Sequence, residues 1–584
     1  MVNYAKFRGY KRTILNIDTM RKMLALSAII LMITNACDSK KVSAKISDQI
    51  RINQIGFYPS SVKQFTIVDT KASDFKLVDS YSNKVFSGKL IDQGTWETSG
   101  EKVMLGDFSG FTAPGAYYVV VDDTIASFPF KIGENIYKPI LRAAVKSYYF
   151  QRASMPIEER YGGEYQRAAG HPDDKCFYHP SSGRSEGTLS SPGGWYDAGD
   201  YGKYVVNASL STGQMLLLLE QYPRVITDGG QNIPESSNDI NDLWDELRYE
   251  LDWILTMQDD DGGVYFKLTA KTFGDFIMPD AYDLDRYIIG KGTASTLDFS
   301  AVLAQASRLY KDIDPKWSAK ALDASVKAWN WALKNDDLAF KNPEDVNTGE
   351  YGDDEFSDDF FWAAAELYLA TEEDQYKVAL NTYKQEYTHK LADSWKRFVR
   401  NVAFHSLLEN KDRLNEEMAS ALTQGHIALA DGILDKIAVH PYRIALDSFE
   451  WGSNSDILNQ ATILCMAHRL TDDEKYLIGA EQITDYIFGK NATGYSFLTG
   501  YGSKKVMFPH HRPSGADSIA DPVPGFIIGG PNNDRQDAHL VEYGSEFPAK
   551  AYMDVEASFA SNEVCINWNA PAVYVLGYLQ EVRE

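Results

Sequence analysis

The period of the hydrophobic pattern changes once, at about Tyr137, and that change divides the chain into two folding units. Beyond it, Leu243, Leu247, Leu251 and Leu255 recur at every fourth position, and Leu297, Phe299, Val302, Leu303, Ala306 and Leu309 trace a second stripe. This is the spacing of α-helices that each bury one face. Further stripes run through residues 329–333, 361–369, 457–470 and 573–579, separated by polar loops such as Asp259-Asp260-Asp261-Gly262-Gly263. With no strand between them to build a parallel sheet, they predict a large helical domain.

Before the change the pattern alternates. Gln64-Phe65-Thr66-Ile67-Val68 and the run 115–121 read as strands, with turn chemistry at Thr112-Ala113-Pro114-Gly115. Short strands at this spacing over about ninety residues predict a small β-sandwich. The 584 residues exceed one typical compact domain. The boundaries that follow are 1–36 for a leader, 37–47 for a linker, 48–135 for the sandwich and 136–584 for the helical domain.

The leader is a secretory pattern. Arg21-Lys22 precede the apolar run 23–33, too short for a comfortable membrane span, and Thr34-Asn35-Ala36-Cys37 follows. The pattern resembles a bacterial lipoprotein signal in which Cys37 is lipidated, although Thr34 stands where Leu is usual. Met20 would start a signal of normal proportions. Export to the periplasm or cell surface is expected, with the membrane met only through a lipid anchor.

Several function classes drop out. With 82 acidic and 58 basic side chains the net charge is -24, which repels a phosphate backbone, so nucleic acid is not an expected partner. Four cysteines support neither a disulfide scaffold nor a cysteine-rich zinc module. The Walker phosphate loop, the Gly-x-Gly-x-x-Gly fingerprint and the His-Glu-x-x-His zinc motif are all missing from the sequence.

Chemistry concentrates in three segments. Gly193-Gly194-Trp195-Tyr196-Asp197-Ala198-Gly199-Asp200-Tyr201-Gly202-Lys203-Tyr204 sets two carboxylates among glycines and aromatics, a polar loop that suits both Asp197 and Asp200 to an ionised role. Residues 496–513 gather His510, His511 and Arg512 in a Gly/Pro-rich loop. In residues 552–570, Glu563 stands among Phe559, Val564 and Trp568, where desolvation raises an acid's pKa and lets it hold a proton near neutral pH. Each segment alone reads as a turn or a polar loop. Together they offer the contrast that glycoside hydrolysis needs, one carboxyl protonated and another ionised.

In this order the three segments resemble the hallmark regions of glycoside hydrolase family 9, the cellulase family. The stretch from Ile50-Arg51-Ile52-Asn53-Gln54-Ile55-Gly56-Phe57 to Phe128-Pro129-Phe130-Lys131-Ile132 resembles the immunoglobulin-like module of one branch of it. The resemblance implies an (α/α)6 barrel with an open cleft at one end and inversion at the anomeric carbon. Asp200 would be the general base that activates water, Asp197 would help to hold that water, and Glu563 would be the general acid. Inversion would set acid and base roughly 6.5–9.5 Å apart. His510 and Arg512 would donate to the glucosyl unit, and Asp554 would support the acid or the site wall. Trp195, Trp451 and Trp568 are candidate stacking platforms, and Tyr552 a candidate substrate contact. Cys565 replaces the usual small residue, and Trp568 stands where Tyr is common.

No cofactor is expected for the reaction. His171, Cys176 and His179 are too few for the zinc site of some relatives. Residues 347–353 with Asp358 and Asp359 resemble the family's calcium loop, with Gly349, Asp358 and Asp359 as candidate oxygen ligands; a solvated acidic turn is nearly as good a reading. The expected activity is endo-hydrolysis of β-1,4-linked glucans. Alternatives are an exo-acting cellodextrinase, β-glucosidase or glucosaminidase, a xyloglucanase or mixed-linkage glucanase, and a non-catalytic glycan-binding protein. The last is disfavoured because Asp197, Asp200 and Glu563 are all present.

Overall fold

The structure, a computed structural model, describes residues 44–583 apart from Ser185, residues 384–397 and Asp447. The leader and Cys37 lie outside the described residues. Strands occupy the N-terminal part, and helices begin at Lys138.

The strands form a sandwich. Lys84–Trp96 pairs with Asp74–Asp79 through its first half and with Glu101–Asp107 through its second, so one long strand feeds both layers. Gln64–Val68 and Gly115–Val121 extend them. Phe57, Phe65, Phe75, Phe108 and Phe130 fill the space between, with Phe65 edge-on to Phe75 at 4.9 Å.

Among the described residues, twelve helices of nine residues or more build an (α/α)6 barrel. The inner ring is Val205–Gln221, Thr293–Leu309, Ser357–Thr371, Val399–Glu409, Ser453–Thr471 and Ile566–Arg583, and each packs against an outer partner. Inner helices are buried all round: in Val205–Gln221 only Glu220 escapes burial, and it pairs with Arg308 of the next inner helix. Outer helices keep a polar face. In Asp242–Thr256, Leu243, Leu247 and Leu251 are fully buried while Asp252 is exposed, and the Asn241 side chain caps the helix by accepting from the Leu243 amide.

A small five-stranded sheet, absent from the sequence reading, lies among the loops. Its central strands are Tyr287–Lys291 and Tyr265–Thr269, and the latter pairs with Lys203–Tyr204. The sandwich also meets the barrel: Trp96 packs on Tyr442 at 5.0 Å, and Glu101 accepts the Tyr442 hydroxyl at 3.0 Å.

Candidate active site

The glycines of the 193–204 loop are there for backbone reasons. Gly193 and Gly194 have φ of 84° and 75°, in the left-handed region where a Cβ is strained. A Cβ on Gly199 would sit 2.0 Å from the His510 carbonyl oxygen. Asp200 Oδ2 accepts the Gly202 amide at 2.9 Å, which closes the turn from within. Beneath it, Asp173 bonds Lys203 at 2.7 Å and Arg286 at 3.0 Å, all three side chains buried, while Arg286 also donates to the Tyr201 carbonyl at 2.6 Å. These two cations hold the Asp173 carboxyl well below the usual carboxylate range against its burial.

The loop is stitched to the Glu563 segment. Ala198 and Cys565 form a bridge, the Ile566 amide donates to the Asp197 carbonyl at 2.8 Å, and the Glu563 carboxyl accepts from the Gly199 amide. Both segments open on a cavity of about 590 Å³ that Asp200 and Glu563 line together. Tyr204, Tyr351, Phe273, Trp451, Phe559 and Trp568 form its aromatic walls. Burial, and then the charge of Asp200, push the Glu563 pKa well above the ordinary Glu value, with Arg512 opposing.

Asp197 corrects the expectation of an ionised loop carboxylate. It is completely buried and does not line the cavity. Burial, with Asp200 adding like charge, raises its pKa to about 8. Its Oδ2 accepts the Tyr351 hydroxyl at 2.9 Å and the Cys565 thiol at 3.8 Å. Both of these partners, Tyr351 and Cys565, line the cavity.

His510 and Arg512 also line the cavity, with their polar groups partly committed. The His510 Nδ1 lies 2.7 Å from the Glu556 carbonyl, which can only accept, so Nδ1 carries the hydrogen. Burial lowers the ring's pKa to about 4, and the neutral ring leaves Nε2 as an acceptor rather than the expected donor. Arg512 donates to the Gly199 carbonyl at 3.0 Å through Nη1, and to the Gly274 carbonyl at 3.0 and 2.9 Å through Nε and Nη2. It ties the Asp200 loop to the Phe273 loop.

Three expected site residues sit behind the wall. Asp554 accepts the amides of Met507 and Phe508, each at 2.9 Å, and Asn562 Nδ2 at 3.3 Å. Tyr552 is buried outside the cavity and donates to Asn562 Oδ1 at 2.7 Å. Trp195 is 1% exposed, its indole donating to Glu246 at 2.9 Å and its ring packed on Tyr148; it is core, not a platform. Trp451, by contrast, is 39% exposed at the cavity, and Trp568 lines it more deeply. The sequence reading missed Asn562, which also donates to the Phe508 carbonyl at 2.6 Å and accepts the His510 amide at 2.8 Å, fixing the residue before Glu563. No motif pointed to it.

The residues expected to hold calcium lie in two surroundings. Gly349 lines the cavity, whereas Asp359 is buried in the barrel and shares a hydrogen bond with Asp298; burial, with the like charges of Asp358 and Asp353 adding to it, raises both pKa values well above normal. Among the described residues, no three Asp, Glu, His or Cys side chains gather to hold a metal ion.

The sequence profile of "Glycosyl hydrolase family 9" matches residues 137–576, and that of "Cellulase N-terminal ig-like domain" matches residues 45–125. The chain is 40% identical to a protein of Bacteroides ovatus named xyloglucan-specific endo-beta-1,4-glucanase BoGH9A, over 94% of this chain and 97% of that one. It is 31% identical to endoglucanase D of Acetivibrio thermocellus, over 95% and 85%. Among solved structures, a Bacteroides ovatus GH9 protein superposes with a TM-score of 0.85 at 37% identity, covering 92% of this chain and all of that one. The chain thus belongs to glycosyl hydrolase family 9, in the branch that carries an immunoglobulin-like domain before the catalytic barrel, and it is a glycoside hydrolase.

Proposed function

We propose that the protein is an inverting endo-β-1,4-glucanase in which Asp200 is the general base and Glu563 the general acid. The observation that carries this is the pair itself: two carboxyls line one cavity, and the environment of Glu563 holds it protonated. Asp200 takes a proton from water as its oxygen attacks the anomeric carbon, while Glu563 gives its proton to the departing glycosidic oxygen. Asp200 then releases its proton and Glu563 regains one from solvent. Asp197 aligns the loop of the base through its bond to Tyr351, beside the Ala198–Cys565 bridge. The reaction needs carboxyls and water, so no step runs through calcium.

Xyloglucan is the substrate we favour, because the relative of that name is similar over almost the whole of both chains. The six cleft aromatics suit the faces of a pyranose chain. The export pattern ending at Cys37 supports a lipid-anchored location at the periplasm or cell surface. Incorporation of labelled palmitate that is lost in Cys37→Ala tests the anchor.

Incubation with xyloglucan, mixed-linkage glucan and carboxymethylcellulose tests the activity. A rapid fall in viscosity with new reducing ends is expected, with the α-anomer appearing first by NMR. The β-anomer first sinks the inverting mechanism; end-wise release of small sugars without viscosity loss sinks the endo reading.

A further inference from the structure

The loop that resembles a calcium site has its oxygens turned toward a lysine. Lys267, on the strand Tyr265–Thr269, is fully buried. Its Nζ meets the Gly349 carbonyl at 2.7 Å, Asn342 Oδ1 at 2.7 Å, the Thr348 hydroxyl at 3.1 Å and the Thr348 carbonyl at 3.3 Å. All four partners are neutral, and the rings of Tyr204 and Phe340 each lie 5.6 Å from the nitrogen. Three N–H groups thus face four oxygens, a cage of the kind that surrounds a cation.

An ammonium leaves water only where such oxygens replace its hydration; beside an aliphatic side chain the Gly349 carbonyl and Asn342 Oδ1 would lose this donor, while the Thr348 carbonyl keeps Asn342 and the Thr348 hydroxyl keeps Thr269. Lysine and loop therefore require each other. The loop is the cleft wall: Gly349, Glu350 and Tyr351 all line the cavity, and a Cβ on Gly349 would touch Tyr351 and Tyr204 at 3.2 and 3.3 Å. Burial lowers the Lys267 pKa to about 7, and the charges of Asp200 and Glu350 oppose that fall, so the ammonium is favoured at slightly acidic pH.

We propose that Lys267 is a positioning residue whose ammonium acts as an internal cation, bracing Gly349-Glu350-Tyr351 so that the Tyr351 hydroxyl meets Asp197. Unlike a bound metal, this cation cannot be removed by a chelator. The inference rests on the hydrolytic reading above, for which wild-type hydrolysis is the control.

Two variants test it, assayed on the same glucan at slightly acidic pH. Lys267→Met fills the volume without charge and should lower kcat about tenfold or more with KM within about threefold, since the disturbed contact positions reacting groups rather than substrate. Lys267→Ala removes the atoms of propylammonium, and millimolar propylammonium should restore much of the lost kcat and raise Tm, while neutral propanol should not. A wild type that hydrolyses glucan beside an equally active Lys267→Met overturns the inference alone. So does a folded, impaired Lys267→Ala that ignores propylammonium. A wild type that releases no sugar overturns the hydrolytic reading instead.

Discussion

Tyr351 donates its hydroxyl hydrogen to Oδ2 of Asp197 at 2.9 Å, joining residues 154 positions apart across the cleft floor. The bond links the wall carried by one loop to the turn that aims Asp200. Tyr351→Phe would leave a buried carboxyl one donor short and free the wall to shift. The expected result is a kcat about tenfold lower with little change in KM. Steady-state kinetics on a soluble β-glucan check this, and an unchanged kcat removes the bond from the mechanism.

Glu563→Gln should lower kcat on polysaccharide by about a thousandfold, within the usual range for a lost general acid. An aryl β-glycoside with a strongly acidic phenol needs no proton on departure and should lose far less. Equal losses on the two substrates would contradict the acid role. The alkaline limb of the wild-type profile should also lie above the ordinary Glu range, because Glu563 must stay protonated and its pKa is raised.

Asp197 gives a stability prediction whose sign is fixed by its raised pKa, about 8 against 3.8. Above the lower value the unfolded chain has released a proton that the folded chain keeps, so stability falls as pH rises toward about 8. Between roughly pH 5 and pH 8 the wild-type Tm should therefore drop by several degrees more than that of Asp197→Asn, which has no proton to lose. Scanning calorimetry on both proteins decides it; parallel slopes would show that the buried carboxyl is not titrating.

Gly199→Ala places a methyl group 2.0 Å from the His510 carbonyl oxygen, a backbone atom that cannot swing aside. The Asp200 turn and the Glu563 segment must separate. A displacement of about 1 Å is enough to cost about a hundredfold in kcat/KM, and Tm should fall with it. Wild-type activity in this variant would mean that the close approach is not required.

The two tryptophans should respond in opposite ways. Trp451→Ala should raise KM with Tm almost unchanged, because the ring is 39% exposed at the cleft. Trp195→Ala removes a buried ring and a donor to Glu246, and should cost about 3–5 kcal/mol of stability. Thermal melts and binding to gluco-oligosaccharides separate the outcomes, and a reversal would return Trp195 to the cleft.

The helical stripes and alternating runs were readable because burial imposes a period on sequence: Leu243, Leu247 and Leu251 are buried where the stripe puts them. Asp200 and Glu563 were readable as a pair only through their distant segments. What could not be read depends on three-dimensional proximity without a local pattern. Trp195 and Trp451 are alike in text, yet only the fold sends one into the core. Asp197 lies among glycines that promise solvent, yet it is fully buried beside the Ala198–Cys565 bridge. Lys267 sits in an ordinary strand pattern, and nothing in it announces four oxygens contributed from 75 to 82 residues further on.

The last helix, Ile566–Arg583, packs against both Lys138–Gln151 and Val205–Gln221, and its first amide bonds Asp197. A chain emerging from the ribosome thus carries its base loop for some 360 residues of synthesis before the segment that completes the centre exists. The proposed base and acid therefore meet only once this late-made helix packs onto Lys138–Gln151 and Val205–Gln221.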